Sequence, residues 1–593
     1  QTTGSFEWKL PFITSGLVLT GFASYDFDFY NGKSFSYPFD LYSYDSTAKQ
    51  YNNVRLALLG DNNSIRLNEN FGSNQLKTFN LKLGYERRFG SHYINAFAAL
   101  EQSSYYDEGI NDFRKNFIST SLDQIFAGSP AGADINNGGS ASQSARRNYF
   151  GRFDYTYKDR YLFEFTMRRD GSFNFGPGKQ YGNFPGVSAG WRISEEPFFK
   201  TIAPVVRELK IKASYSLLGN DKISSYQFLQ RYTLVDPGNA GLAVYNGTDP
   251  TSPGQVQALT NGVAPNPNIT WEKENNRNVG LESSWWDGKL TFGIEYFSTH
   301  RYDILAPKNA SIPTSAGLTL PAENIGIVDR HGIEVELGHK GTIAKDFHYN
   351  LSGNFTYATN NVVFNDEAPG VPQWQKVQGH PLGSWLVYKS DGIYRTQADI
   401  DKTPHLAGTK PGDIKYIDYD GDGKITAKDQ VRIYQNPTPR MVYGMTMSAD
   451  YKGFSLNLLW QGQAQARQVI LPGSNNNKYY IPPTWVYDNR WTAANPNASL
   501  PGSFDRNSSI NNRQSDFWLK DMSFIKLKNA VLAYNFPAAT LKRLGLSNLR
   551  LYLSGFNLFS IDKVKYYDPE ITTYNGAAYP QTRIYTIGAN LSF

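Results

Sequence analysis

The 593-residue chain contains no cysteine. That excludes a disulfide framework and any metal centre built on thiolates. It also lacks a long hydrophobic run: no stretch approaches the roughly 20 apolar residues of a transmembrane helix. Net charge is small, +6 at pH 7. Basic residues are scattered rather than clustered, so a nucleic-acid partner has no electrostatic footprint. Catalytic signatures are missing too. The seven histidines form no H-E-x-x-H pair, and no G-x-S-x-G, P-loop or G-x-G-x-x-G stands at a strand–helix junction. Paired acids at Glu195–Glu196 and Glu334–Glu336 raise glycoside hydrolysis as a reading. The second pair shares one strand face, which suits a polar wall better, and no enzymatic activity is expected. No initiator Met and no signal peptide precede Gln1, as expected of a mature product or a fragment.

What the chain has in excess is aromatic residues, 15% of the total, with 40 Tyr, 37 Phe and 11 Trp. Tyr and Trp suit membrane–water interfaces because each joins an apolar body to a polar tip. Mean hydropathy is −0.49, too polar for a helical membrane protein. A barrel tolerates it, because its strands alternate and its loops are polar.

Period-two alternation recurs from end to end. Tyr161, Phe163, Phe165 and Met167 share one face of Tyr161–Arg169; Glu164, Thr166 and Arg168 take the other. Leu290–Phe297, Gly332–Leu337 and Phe454–Gln461 alternate in the same way. Successive side chains of a strand point to opposite sides, so each segment has an apolar and a polar face. On the order of 18 such segments occur, many about 10 residues long, enough to cross a bilayer at a tilt. Helical patterns are scarce; Ala539–Leu544 reads as a short loop helix.

Connections are of two kinds. Tyr157–Arg160, Trp286–Lys289 and Asp450–Gly453 are tight; Gly128–Ser144, Asp236–Asn268, Asn360–Leu382 and Leu471–Ser515 are long and rich in Gly, Asn, Pro and Ser. Short turns on one rim and long loops on the other is the layout of an outer-membrane barrel. No linker separates two domains, so residues 1–593 are expected to form one barrel domain. The last segment places Tyr585, Ile587, Ala589, Leu591 and Phe593 on one face. Tyr585, Ile587, Leu591 and Phe593 together suit the terminal signal read by barrel-assembly machinery. A soluble β-sandwich or propeller is the alternative; it leaves that apolar edge as an aggregation hazard.

From Asn148 to Lys200 the chain reads NYFGRFDYTYKDRYLFEFTMRRDGSFNFGPGKQYGNFPGVSAGWRISEEPFFK. This resembles the SusC/RagA-like TonB-dependent transporters of Bacteroidetes. The stretches Leu209–Asn220, Pro267–Leu281, Asn324–Leu337, Gly412–Asp429, Asn436–Gly462 and Phe517–Pro569 follow in that family's order. The resemblance implies an all-β transmembrane antiparallel barrel of 22 strands, most of them present here, with long extracellular loops. It also implies a plug domain inside the barrel, a SusD-like surface lipoprotein over it and the TonB–ExbB–ExbD complex pulling on the plug. The expected setting is the outer membrane of a Gram-negative bacterium, in contact with its lipid. The implied function is import of an oligosaccharide, less readily an oligopeptide. Signal peptide, TonB box, plug and the first few strands are not recognised in this chain. The alternatives are a non-transporting surface binding or adhesion scaffold and a soluble carbohydrate-binding β-protein.

One segment carries metal-site spacing. From Asp418 the chain reads D-x-D-x-D-G-K-I-x-x-x-D, with Asp418, Asp420 and Asp422 at loop positions one, three and five. Gly423 falls at six, the carbonyl of Lys424 at seven and Asp429 at twelve. Oxygen ligands at this spacing suit Ca2+, here in a structural role, although Asp is a shorter arm than the Glu usual at twelve. The bland reading is a solvated Asp-Gly turn. Asp170-Gly171 and Asp391-Gly392 read as turns needing positive φ, and Trp191, Trp385 and Trp460 as wall aromatics. For substrate, the aromatic- and amide-rich loops Gln373–Trp385 and Asn475–Trp491 are the candidates; packing between loops is the competing use.

Overall fold

The computed structural model describes residues 1–37, 42–53, 64–235, 244–245, 255–256, 258–308, 320–471, 484–502, 508–542, 545–571, 573, 578–579 and 581–593. Among them the alternating segments form 17 long strands. These are β1 (Thr2–Lys9), β2 (Leu17–Ser36), β3 (Arg66–Phe89), β4 (His92–Lys115), β5 (Ile135–Tyr157), β6 (Tyr161–Ser172), β7 (Tyr181–Arg192), β8 (Val206–Asn220) and β9 (Glu272–Trp285). There follow β10 (Leu290–Ala306), β11 (Glu323–Ile343), β12 (Phe347–Phe364), β13 (Met441–Tyr451), β14 (Phe454–Ala464), β15 (Phe524–Asn535), β16 (Asn548–Asp562) and β17 (Ile584–Ser592).

The chain divides into two compact units. The first holds Gln1–Tyr155, Glu164–Pro185 and Asp221–Tyr226. In it β1 pairs with β2, β2 with β3 and β3 with β4, all antiparallel. Strands β3 and β4 each run 24 residues, far more than the roughly 9–11 that cross a bilayer, so they continue well beyond it.

The second unit holds Thr156–Phe163, Gly186–Asn220 and Gln227–Phe593. Here consecutive long strands pair antiparallel from β7 to β17. Register sorts side chains into continuous rows. Ile211, Leu281, Ile294, Val335, Phe355 and Tyr443 face one side across β8–β13. Leu456, Leu532, Leu553 and Ile587 continue that apolar side across β14–β17. The adjacent row carries Lys210, Glu282, Gly293, Glu336, Asn354, Gly444, Gln461 and Lys526 to the opposite side. A one-residue slip would exchange the two faces, so the alternation itself fixes the register.

The apolar face is open to its surroundings: Ile294, Leu337, Leu532, Leu553 and Ile587 are all exposed. In water such a face is a liability; against lipid it is required. Aromatic rings cluster at the short-turn end, with Tyr157 against Tyr161, Trp285 beside Trp286, Phe347 on Tyr451 and Phe454 on Tyr534. They make an interfacial girdle. The tight turns are as expected. Lys158 and Asp159, and Trp286 and Asp287, have positive φ, the backbone twist that two-residue hairpins favour.

Two local readings change, and a third is found with shifted bounds. Gly128–Ser144 is not all loop: β5 begins at Ile135. Gly392 does have positive φ (78°), but Gly171 lies inside β6, where an added Cβ would stand 2.9 Å from the Arg147 carbonyl oxygen. Close backbone approach, not a turn, requires that glycine. The short helix is present as Ala538–Lys542; residues 543–544 of the expected span lie outside the described residues, as does most of 236–268.

Candidate functional site

Two places in the second unit combine shape with chemistry: the polar face of the strands and an assembly built from the long loops. The polar face carries a cavity of about 790 Å³. Glu208, Glu282 and Glu336 line it with Asn354 and Gln461, and Gly293, Gly338 and Gly444 keep its wall low. Lys212 bridges Glu282 at 2.9 Å and Glu295 at 2.7 Å, and Lys210 reaches Glu282 at 3.2 Å. Glu334 and Glu336 lie on the polar side of β11, as the strand alternation predicts. Glu196, of the other acid pair, is held elsewhere by Arg160, Tyr161 and Trp191.

The loop assembly has its own core. Val387, Tyr388, Ile414, Tyr416, Ile425, Val469, Leu471, Val486, Leu500, Ile510 and Trp518 are buried together. Short strand pairs frame it: Leu386–Tyr388 with Gln430–Arg432, Ser390–Ile393 with Ile414–Tyr416, and Arg467–Val469 with Leu519–Asp521. Asn511 is the polar hub. Its Oδ1 accepts from the Ile414 amide at 2.9 Å, its Nδ2 donates to Asp413 at 2.9 Å, and its carbonyl accepts from Trp518 Nε1 at 2.8 Å. The Tyr416 hydroxyl donates to the Ile510 carbonyl at 2.7 Å, and burial raises its pKa.

The Asp-rich loop sits on this assembly. Oxygens of Asp418, Asp420 and Asp422 lie within 4.8 Å of one another. Asp418 accepts from the amides of Gly421 and Gly423, each at 2.8 Å, and Gly423 takes φ of 82°, the tight turn expected at position six. Partial burial, followed by the charges of Asp422, Asp429 and Asp418, pushes the Asp420 pKa up. Asp429 is used differently. It is fully buried, and its carboxylate accepts from the amides of Tyr419 (2.7 Å), Asp420 (3.2 Å) and Thr426 (2.6 Å). It braces the loop from behind, and the converging oxygens belong to the other three aspartates. Lys424 donates its amide to Asp422 at 2.9 Å.

The segment Gln373–Trp385 packs against the back of the same loop. Trp374 Nε1 donates to the Lys428 carbonyl at 2.9 Å and its ring meets Tyr419 edge-on. Gln375 donates to the carbonyls of Ala427 and Gln430. Trp385 Nε1 donates to the Arg467 carbonyl at 2.7 Å, so this tryptophan belongs to the loops rather than to the strand wall. Of Asn475–Trp491, residues 475–483 lie outside the described residues. In the remainder, Trp485 stacks on Tyr566 at 4.5 Å and 3°, a partner that sequence spacing did not indicate. The terminal residues Tyr585, Ile587 and Leu591 are exposed on β17, with Phe593 just beyond it.

Two-faced strands, an aromatic girdle and long loops opposite short turns define a transmembrane β-barrel of outer-membrane type. The chain belongs to the family described as TonB dependent receptor-like, beta-barrel, whose model matches residues 14–558, and within it the chain is SusC/RagA-like. It is 27% identical over 538 residues to TonB-dependent receptor P3 of Formosa agariphila, covering 86% of this chain and 52% of that protein. It is 27% identical over 471 residues to TonB-dependent receptor SusC of Bacteroides thetaiotaomicron, covering 76% and 44%. The RagAB peptide importer in its open-open state superposes with a TM-score of 0.77 at 20% identity, covering 100% of this chain and 61% of that one. The chain thus spans about half the length of the curated relatives it matches.

Proposed function

We propose that this chain forms the wall and loop assembly of a TonB-dependent importer in the outer membrane. In this reading a SusD-like lipoprotein sits over the loops and the TonB–ExbB–ExbD complex supplies force. The observation that carries it is the register-continuous wall: one face apolar and exposed, the other polar and concave with carboxylates and glycines. Oligosaccharide is the preferred cargo, by the habit of the family. The test uses the full-length protein purified in detergent from outer membranes. Co-purification of a surface lipoprotein, and uptake of an oligosaccharide lost on deletion of the gene, support the reading. Uptake of peptides alone would replace the cargo. A full-length gene lacking a plug and TonB box would favour a binding scaffold instead.

We also propose that Asp418, Asp420 and Asp422, with the Lys424 carbonyl, hold Ca2+ as a structural ion on the extracellular side, with Asp429 bracing the loop. Three converging carboxylates repel one another unless a hard cation sits among them. Metal analysis of the purified protein and of an Asp420→Ala, Asp422→Ala variant tests this; equal Ca2+ in the two would refute it.

A further inference from the structure

The connection between β7 and β8 is not a tight hairpin; like the one between β15 and β16, it includes a short helix. The helical turn is Pro197–Ile202, and three apolar side chains of the connection are exposed: Phe198 at 55%, Ile202 at 73% and, just beyond the helix, Val205 at 44%. Its stem is fixed on the apolar side of the wall. Glu196, only 6% exposed, accepts from Tyr161 Oη at 2.6 Å, Trp191 Nε1 at 3.2 Å and Arg160 Nη1 at 3.1 Å. Tyr161 begins the outward row that includes Phe163 and Phe165, and Trp191 pairs with outward Ile211. So the polar tips of two girdle rings grip the residue that starts the helix. The backbone is closed off too: Ala203 N–H donates to the Phe199 carbonyl, and Trp286 N–H to the Val205 carbonyl.

From this geometry we infer that Pro197–Val205 is an interfacial foot resting in the periplasmic leaflet, with Phe198, Ile202 and Val205 among the phospholipid acyl chains just below the headgroups. The surface is continuous with the lipid-facing row already described, through Trp191 and Tyr161. A turn in water gains nothing from three exposed apolar side chains, whereas at the leaflet boundary each removes apolar area from water. Lys200 and Arg207 flank the patch and are ion-paired with Glu195 and Asp287, so neither adds an uncompensated charge beside it.

The inference rests on the transmembrane reading of the strands, and the test separates the two. The chain has no cysteine, and any cysteine elsewhere in the full-length protein is first replaced by serine. The full-length protein, reconstituted in phosphatidylethanolamine–phosphatidylglycerol bilayers, receives a nitroxide at Phe198→Cys or, independently, Ile202→Cys. Phe163→Cys serves as the strand control and Asp346→Cys, in another short turn, as the aqueous control. Collision with oxygen and with a water-soluble nickel chelate is measured. The foot predicts an oxygen-to-nickel ratio at 198 and 202 several-fold above that at 346, and close to that at 163. Ratios at 198 and 202 equal to that at 346, with 163 still in lipid, overturn the foot alone. A label at 163 as open to nickel as 346 overturns the transmembrane reading beneath it.

Discussion

The strand wall and the loop assembly of the second unit obey opposite rules for the same residue types. In the wall, Ile294, Leu337 and Leu553 are exposed while Lys210, Glu282 and Glu336 face a concavity. In the loops, Val387, Ile414 and Trp518 are buried, while Asp422 is exposed and Asp418 and Asp420 are half-buried. The difference is one of solvent. Backbone pairing holds the wall together, and lipid accepts its apolar face. The loops fold as a water-soluble body, around apolar residues drawn from sequence positions more than a hundred apart. Length explains why: a long loop with no core of its own leaves its backbone groups unpaired.

Breaking either rule should damage only its own region. The largest effect is expected from Trp518→Ala, about 3–5 kcal/mol of lost packing and a hydrogen bond. Limited proteolysis should then cut within 465–523 while the wall keeps its resistance to detergent unfolding; simultaneous collapse of both would argue against separate bodies. Next is Ile294→Arg, which puts a charge in the lipid-facing row at a cost of about 2–4 kcal/mol near the bilayer midplane. Guanidinium unfolding from vesicles measures it, with Thr356→Arg on the polar face expected to cause no comparable loss.

The smallest effect concerns the seam where loop meets wall. Lys526 bridges Asp568 at 2.7 Å and Glu570 at 2.6 Å, and Lys528 bridges Glu570 at 2.7 Å. Burial raises the Glu570 pKa, but the hydrogen bonds from the two lysines outweigh it and the net shift is downward. A depressed carboxyl stabilises the folded state above its ordinary pKa and loses that contribution as pH falls through the folded value. Opening of the segment Lys563–Ile571, followed by hydrogen exchange, should therefore be flat at neutral pH and rise below about pH 4. Glu570→Gln should remove most of that acid dependence; an unchanged profile would mean that other groups govern it.

The wall was largely legible in the sequence because alternation is local. Tyr161–Arg169, Leu290–Phe297, Gly332–Leu337 and Phe454–Gln461 fall inside β6, β10, β11 and β14 as expected. Strand β5 was legible only in part, since Ile135–Ser144 lies in the strand without alternating. The loop core was not legible, because Tyr388 and Trp518 meet only through long-range pairing. For the Asp-rich loop, spacing identified the converging Asp418, Asp420 and Asp422. It did not reveal that Asp429 turns its carboxylate to three backbone amides.

Along each strand of the wall, side chains alternate strictly between a lipid face and a polar face. A fluorophore placed in turn at residues 292 to 297 of β10, in the full-length protein reconstituted with spin-labelled lipid, tests it most directly. Quenching should be strong at Phe292, Ile294 and Tyr296 and weak at Gly293, Glu295 and Phe297. Uniform quenching, or none, along those six positions would contradict a membrane-spanning strand.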